Sequence, residues 1–156
     1  LNKGWYLAGV LIVVGLIVVI ALAVFLLRNS DTGYSADDTP QGVVRNYALA
    51  LQKKDFRKAY TYLQENDNKP GFQSFQETFN AENKKYERAS FSFGNTSITG
   101  DSASITIIIQ QNYGGPFKEF SRDEESVELL RQNGSWKIHR FPDPFWGYDW
   151  YLEEYK

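Results

Sequence analysis

The stretch from Gly4 to Leu27 contains no charged residue and is dominated by Leu, Ile, Val and Ala. At 1.5 Å of rise per residue, about 24 such residues make roughly 36 Å of helix, enough to cross a bilayer with some tilt. The run therefore predicts a transmembrane helix over 4–27 in contact with the lipid bilayer. Trp5 and Tyr6 stand where an interfacial aromatic pair belongs, and Lys3 and Arg28 bracket the span. Ala21-Leu22-Ala23 has the small-x-small pattern of a signal-peptide cleavage site. The apolar stretch is nevertheless longer than a signal h-region and continues through Val24, Phe25, Leu26 and Leu27. A retained anchor is the expectation.

Orientation is set weakly by charge, with Lys3 on one side and Arg28 and Arg45 on the other. A short amino-terminal tail followed by the whole domain is the pattern of a signal anchor. The expected location is the cell membrane, single-pass, with a periplasmic or otherwise extracytoplasmic domain of bacterial type. The chain has no cysteine, which removes disulfides, thiolate metal sites and cysteine nucleophiles together. Its formal charge is −2 with both signs interleaved, so the electrostatic footprint of nucleic-acid binding is missing.

After the apolar run, residues 28–39 switch to Asn, Ser, Asp, Gly and Thr and read as a linker. Residues 40–142 suffice for one hydrophobic core, and 143–156 form an aromatic tail. Thr39-Pro40 opens a helix, with a capping side chain before proline at the first helical position. Val43, Val44, Tyr47, Ala48 and Leu51 then repeat at helical spacing. Asp55 caps a second helix carrying Phe56, Ala59, Tyr60 and Leu63. A third begins at Ser74 and carries Phe75, Phe79 and Tyr86. Near Ala89 the period changes to two, with Phe91 and Phe93 alternating with small residues. Gly100-Asp101 turns the chain into a β-branched run from Ser102 to Tyr113. A further strand holds Val127, Leu129 and Leu130, and Asn133-Gly134 is a two-residue hairpin signal leading into Ser135 to Phe141. Helices followed by antiparallel strands make an α+β domain.

Pro40, Val43-Val44, Tyr47, Ala50-Leu51, Asp55-Phe56, Lys58-Ala59-Tyr60 and Leu63 resemble the opening helices of the nuclear-transport-factor-two-like (SnoaL-like, DUF4878-like) superfamily. Ile98 to Ile105 resembles its strand, turn and strand, and Gly134-Ser135-Trp136-Lys137-Ile138 its closing hairpin. The resemblance covers roughly residues 39–142. It implies a cone fold of about three helices on a curved antiparallel sheet. In some members the cone holds a pocket, and in many the outer sheet face makes a homodimer. Members include isomerases, dehydratases and plain binding or scaffold domains, so the fold alone leaves function open.

Enzymes of this fold place an acid–base constellation inside the cone. His139 is the sole histidine, and strand alternation sets it opposite Trp136 and Ile138, toward the outer face. Tyr47, Tyr60 and Tyr86 sit on helix faces that turn inward and are the candidate pocket lining. Asp123-Glu124-Glu125 reads as a solvated acidic run between strands. With one histidine and no cysteine, no nitrogen or sulfur metal site is expected. Asn66-Asp67-Asn68 lacks the glycine and glutamate of a calcium loop and reads as a turn. No catalytic, cofactor or metal residue is assigned.

The tail crowds Phe145, Trp146, Tyr148, Trp150, Tyr151 and Tyr155 behind Phe141. Such rings require burial: on the open end of the cone, on a partner, or at the membrane interface, where the tail's acidic residues oppose anionic lipid. They are the candidate partner-docking residues. The expected function is a non-catalytic accessory or stabilising subunit docking on other subunits of a larger membrane complex, such as a respiratory or photosynthetic electron-transport assembly. The alternatives are a ligand-binding or sensor domain using the cone pocket and, third, an isomerase- or dehydratase-type enzyme.

Overall fold

The computed structural model describes residues 3–28, 33–80, 85–111, 121–147 and 150–151. The chain divides into two units, Leu1–Gly33 and Tyr34–Lys156.

The first unit holds α1, a 26-residue helix over Lys3–Arg28. Its side chains are described over 10–23, roughly 21 Å of rise. Every one of them is exposed, with Leu11, Ile12 and Val19 each about two-thirds exposed. Among the described residues no helix is long and apolar enough to cross a membrane.

The second unit is α+β, with a four-stranded antiparallel sheet that fits a cone fold. Its first helix is α2 (Pro40–Gln52), where the Thr39 hydroxyl accepts from the Gly42 amide at 3.1 Å and Pro40 takes the first position. Asp55 caps α3 (Phe56–Thr61), accepting from the Lys58 amide at 3.1 Å. The third predicted helix begins earlier than Ser74, since α4 runs Phe72–Asn80. Tyr86 falls outside it, on a short 3-10 turn over Lys85–Arg88. It is still buried, because its ring meets Phe79 edge-on at 5.3 Å.

The strands β1 (Ala89–Thr99), β2 (Ser102–Gln111), β3 (Ser121–Gln132) and β4 (Ser135–Arg140) lie in the order β1-β2-β3-β4. Asn133 and Gly134 both take positive φ (50° and 79°), the geometry of a tight primed turn between β3 and β4. Asp123-Glu124-Glu125, expected between strands, lies within β3, where Asp123 pairs with Ile109 and Glu125 with Ile107. Hydrogen bonding to β2 carries this segment, so no apolar alternation marks it in the sequence.

The inner sheet face supplies Ala103, Ile105, Ile107, Ile109, Val127, Leu129, Trp136 and Ile138, and α2 supplies Val43, Val44, Tyr47, Ala50 and Leu51, all buried in one core. After α3 the chain runs beside β4. Ile138 N–H donates to the Tyr62 carbonyl at 2.8 Å, and Gln64 N–H to the Ile138 carbonyl at 2.9 Å. That contact covers the β4 edge. β4 itself pairs with β3 only from Glu128 to Gln132, so among the described residues 121–127 of β3 pair on the β2 side alone.

Candidate functional site

The interior of the cone is filled by the chain's own aromatic rings. Phe141 and Phe145 are buried, 5.4 Å apart, and Phe91 packs edge-on against both. Trp150 is buried against Phe75 at 5.1 Å and Phe79 at 5.7 Å. Gly147 makes this possible, because a β-carbon there would overlap the Trp150 indole. The Trp150 Nε1–H is buried and has no hydrogen-bond partner among the described residues.

Of the candidate docking residues, Phe145 and Trp150 are thus core residues of this domain. Trp146 and Tyr151 remain half-buried and stack on each other at 5.6 Å. Tyr148 and Tyr155 lie outside the described residues. The candidate pocket tyrosines make separate contacts. Tyr47 is fully buried, with its ring 5.5 Å from Phe141 and its hydroxyl donating to the Phe145 carbonyl at 2.8 Å. Tyr60 donates to the Pro70 carbonyl at 2.8 Å. Tyr86 packs on Phe79. The hydroxyls of Tyr47 and Tyr60 thus bond to different segments, and the buried Tyr86 hydroxyl has no hydrogen-bond partner among the described residues.

A groove of about 700 Å³ opens beside the tail instead. Its walls include Glu125 and Glu128 of β3, His139 and Arg140 of β4, and Trp146 and Tyr151 of the tail. A bulge between Glu128 and Leu129 shifts the β3–β4 register here, leaving His139 half-buried at the groove wall. His139 Nδ1 lies 2.6 Å from Gln64 Oε1, and its ring is 6.0 Å from that of Tyr151. The Tyr151 hydroxyl closes the cluster by donating to the Gln64 carbonyl at 2.5 Å. The sequence marked His139 and the tail, and Glu125 only as part of a solvated acidic run; it gave no sign of Gln64 or Glu128, which only the fold brings to them. Ser126, which also lines the groove, has its hydroxyl 2.8 Å from that of Ser104. Among the described residues no group of acidic, histidine or cysteine side chains is arranged to hold a metal ion.

Burial raises the tyrosine pKa values. For Tyr47, Tyr62 and Tyr151 desolvation is the main cause, and the Asp37 carboxylate adds to it at Tyr62. The folded state thus keeps protons that the unfolded chain releases near pH 10, so the stabilisation is complete below pH 10 and declines as pH rises above it. Denaturant midpoints measured from pH 8 to about pH 11.5 should fall beyond pH 10, with fully buried Tyr47 contributing a slope of up to about 1.4 kcal/mol per pH unit. Tyr47→Phe should flatten that slope; an unchanged slope would mean Tyr47 titrates normally.

The second unit therefore belongs, by architecture, among cone-shaped α+β domains. No family model matches the chain, and no curated protein matches it. Among solved structures it is similar to a SEC-C motif-containing protein from Rhodopseudomonas palustris, 13% identical, with 68% of this chain and 79% of that chain covered and a TM-score of 0.50. It is also similar to a candidate ketosteroid isomerase from Shewanella frigidimarina (22% identity, 68% and 93% covered, TM-score 0.49). An NTF2-like protein of unknown function from Cytophaga hutchinsonii gives 16% identity, 68% and 91% coverage and a TM-score of 0.41. Likeness at this level of identity speaks to fold alone.

Proposed function

We propose that this chain is a single-pass, membrane-anchored, non-catalytic accessory protein. In this reading a nuclear-transport-factor-two-like domain on the extracytoplasmic side docks a segment of a larger membrane complex in the groove beside its tail. The observation that carries it is the packing of the cone. Its interior is filled by Phe75, Phe79, Phe141, Phe145 and Trp150, while Trp146 and Tyr151 keep exposed surface on an open groove. Aromatic rings with one wet side are the usual anchors of protein interfaces. The groove adjoins residues 121–127 of β3, which pair on one side only, and an extended segment can add there by main-chain hydrogen bonds. Glu125, Glu128 and Asp143 outnumber Arg140 among the charged groups of the wall, which favours a basic segment. The anchor is supported by α1, whose described side chains are apolar or small and all exposed.

The test is extraction of the full chain from native membranes in mild detergent, with mass spectrometry of stoichiometric companions, comparing wild type with Trp146→Ala and Glu128→Lys. Glu128 is exposed, so thermal unfolding of Glu128→Lys should stay near wild type; Trp146 also packs on Trp150 at 5.0 Å, so Trp146→Ala is compared below its own unfolding midpoint. A companion present at one-to-one ratio with wild type and depleted about tenfold or more with each variant is the expected outcome. Companions that persist with both variants, or their absence from wild type, would reject docking in the groove. A second reading has one observation in its favour: the groove's volume is in the range of small-ligand sites.

A further inference from the structure

The chain enters the domain through a strap built into it. Asn46, fully buried, accepts from the Ser35 amide at 2.8 Å and donates to the Ser35 carbonyl at 2.8 Å. The same side chain donates to Asp37 Oδ1, and the Tyr62 hydroxyl reaches both Asp37 carboxylate oxygens at 3.3 Å. The Ala36 carbonyl occupies the space a β-carbon on residue 42 would need, so Gly42 lets the strap lie flat on α2. Residue 34 is therefore held by the domain, although it falls within the segment expected to be a flexible linker.

The strap begins at a basic corner. The Tyr34 ring has Lys58 Nζ 4.0 Å and Lys53 Nζ 5.0 Å from its centroid. Lys54 and Arg57 flank it at the junction of α2 and α3, Arg57 with its guanidinium over the Phe72 ring at 5.2 Å, and Lys53, Lys54 and Arg57 are exposed. Among the described residues, Asp55, which caps α3, and Glu87, which pairs with Lys54 at 3.4 Å, lie beside these cations. Asp37 on the strap is engaged by Asn46 and Tyr62. Between Arg28, the last residue of α1, and Tyr34, the chain can reach at most about 21 Å whatever path it takes.

Resting on the anchor reading above, we propose that Lys53, Lys54, Arg57 and Lys58 form a contact surface for anionic phospholipid headgroups and orient the domain on the bilayer that α1 enters. The short connection keeps the corner within reach of the headgroup layer, and the attraction of basic side chains to such lipids acts over about a Debye length. Residues 53–58 carry four cationic side chains and one carboxylate, which sets the sign of the corner.

The native chain has no cysteine, so Gln52→Cys, at the exposed end of α2, gives one labelling site beside the corner. The full-length protein carrying a fluorophore there is reconstituted into phosphatidylcholine vesicles with or without about 30% phosphatidylglycerol, each containing a headgroup-level quencher. The expected result is at least about twofold stronger quenching with phosphatidylglycerol, abolished by about 0.5 M NaCl and by the double substitution Lys53→Glu, Arg57→Glu. Equal quenching in the two vesicles, or a difference insensitive to salt and to the substitutions, overturns the proposal and leaves the anchor intact. If the protein fails to float with either vesicle after an alkaline wash, the anchor reading fails and the lipid contact falls with it.

Discussion

Phe145→Ala is expected to lower the stability of the domain by about 3–5 kcal/mol, the range for emptying a well-packed phenylalanine site. Phe145 is fully buried, its ring meets Phe91 and Phe141 within 5.5 Å, and its carbonyl accepts the Tyr47 hydroxyl. Alanine would leave a cavity between two aromatic neighbours, and rings of that size collapse poorly into it. Urea denaturation followed by tryptophan fluorescence should show an earlier midpoint at unchanged slope, and thermal unfolding a fall of more than about 10 °C. A loss below about 1 kcal/mol would mean the tail is an appendage that packs only loosely on the cone. The result bears directly on function, because a tail spent on the core leaves, among its described residues, the half-exposed Trp146 and Tyr151 for a partner.

The second large effect is expected at Asn46. It is the one buried polar residue among the core positions described, and it partners both the amide and the carbonyl of Ser35 as well as Asp37. Asn46→Ala strands these groups next to an apolar helix face, at a cost of about 2–4 kcal/mol, most of it from donors and acceptors left unsatisfied. The distinguishing readout is local. Limited proteolysis between residues 33 and 40 should accelerate at least about tenfold under native conditions, and the Ser35 amide should lose its exchange protection. If global stability falls while cleavage of the strap does not change, Asn46 matters for packing and the strap is held by other contacts.

The periodic signals and the chain punctuation carried most of the architecture. Thr39-Pro40, Asp55 and Asn133-Gly134 each stand where a local backbone requirement admits few residue types, and the structure uses each as a cap or turn. Elements without such a signature were harder to read. Asp123-Glu124-Glu125 resembles loop composition, yet inter-strand hydrogen bonds hold it in β3. Spacing places Tyr86 on the same helix as Phe75 and Phe79, but it is buried from a separate turn. The candidate groove was half legible. Tail aromatic density and the lone His139 drew attention, whereas Gln64, Glu125 and Glu128 are ordinary surface residues until β3, β4 and the segment after α3 converge.

By itself the sequence determined the uncharged apolar run, the amphipathic helices, the period-two strands and their turns, because each depends on residues within a few positions of one another. Only the tertiary structure decided what the aromatic residues do. Burial is a property of the assembled surfaces, and the same rings suit a partner, a bilayer or the chain's own core. Here α4 and the inner sheet face leave a gap that Phe141, Phe145 and Trp150 fill, while the bulged β3–β4 register leaves Trp146, Tyr151 and His139 on the groove. The entry strap belongs to the same class: its polar composition describes a linker, and buried Asn46, thirteen residues beyond Gly33, makes it part of the fold.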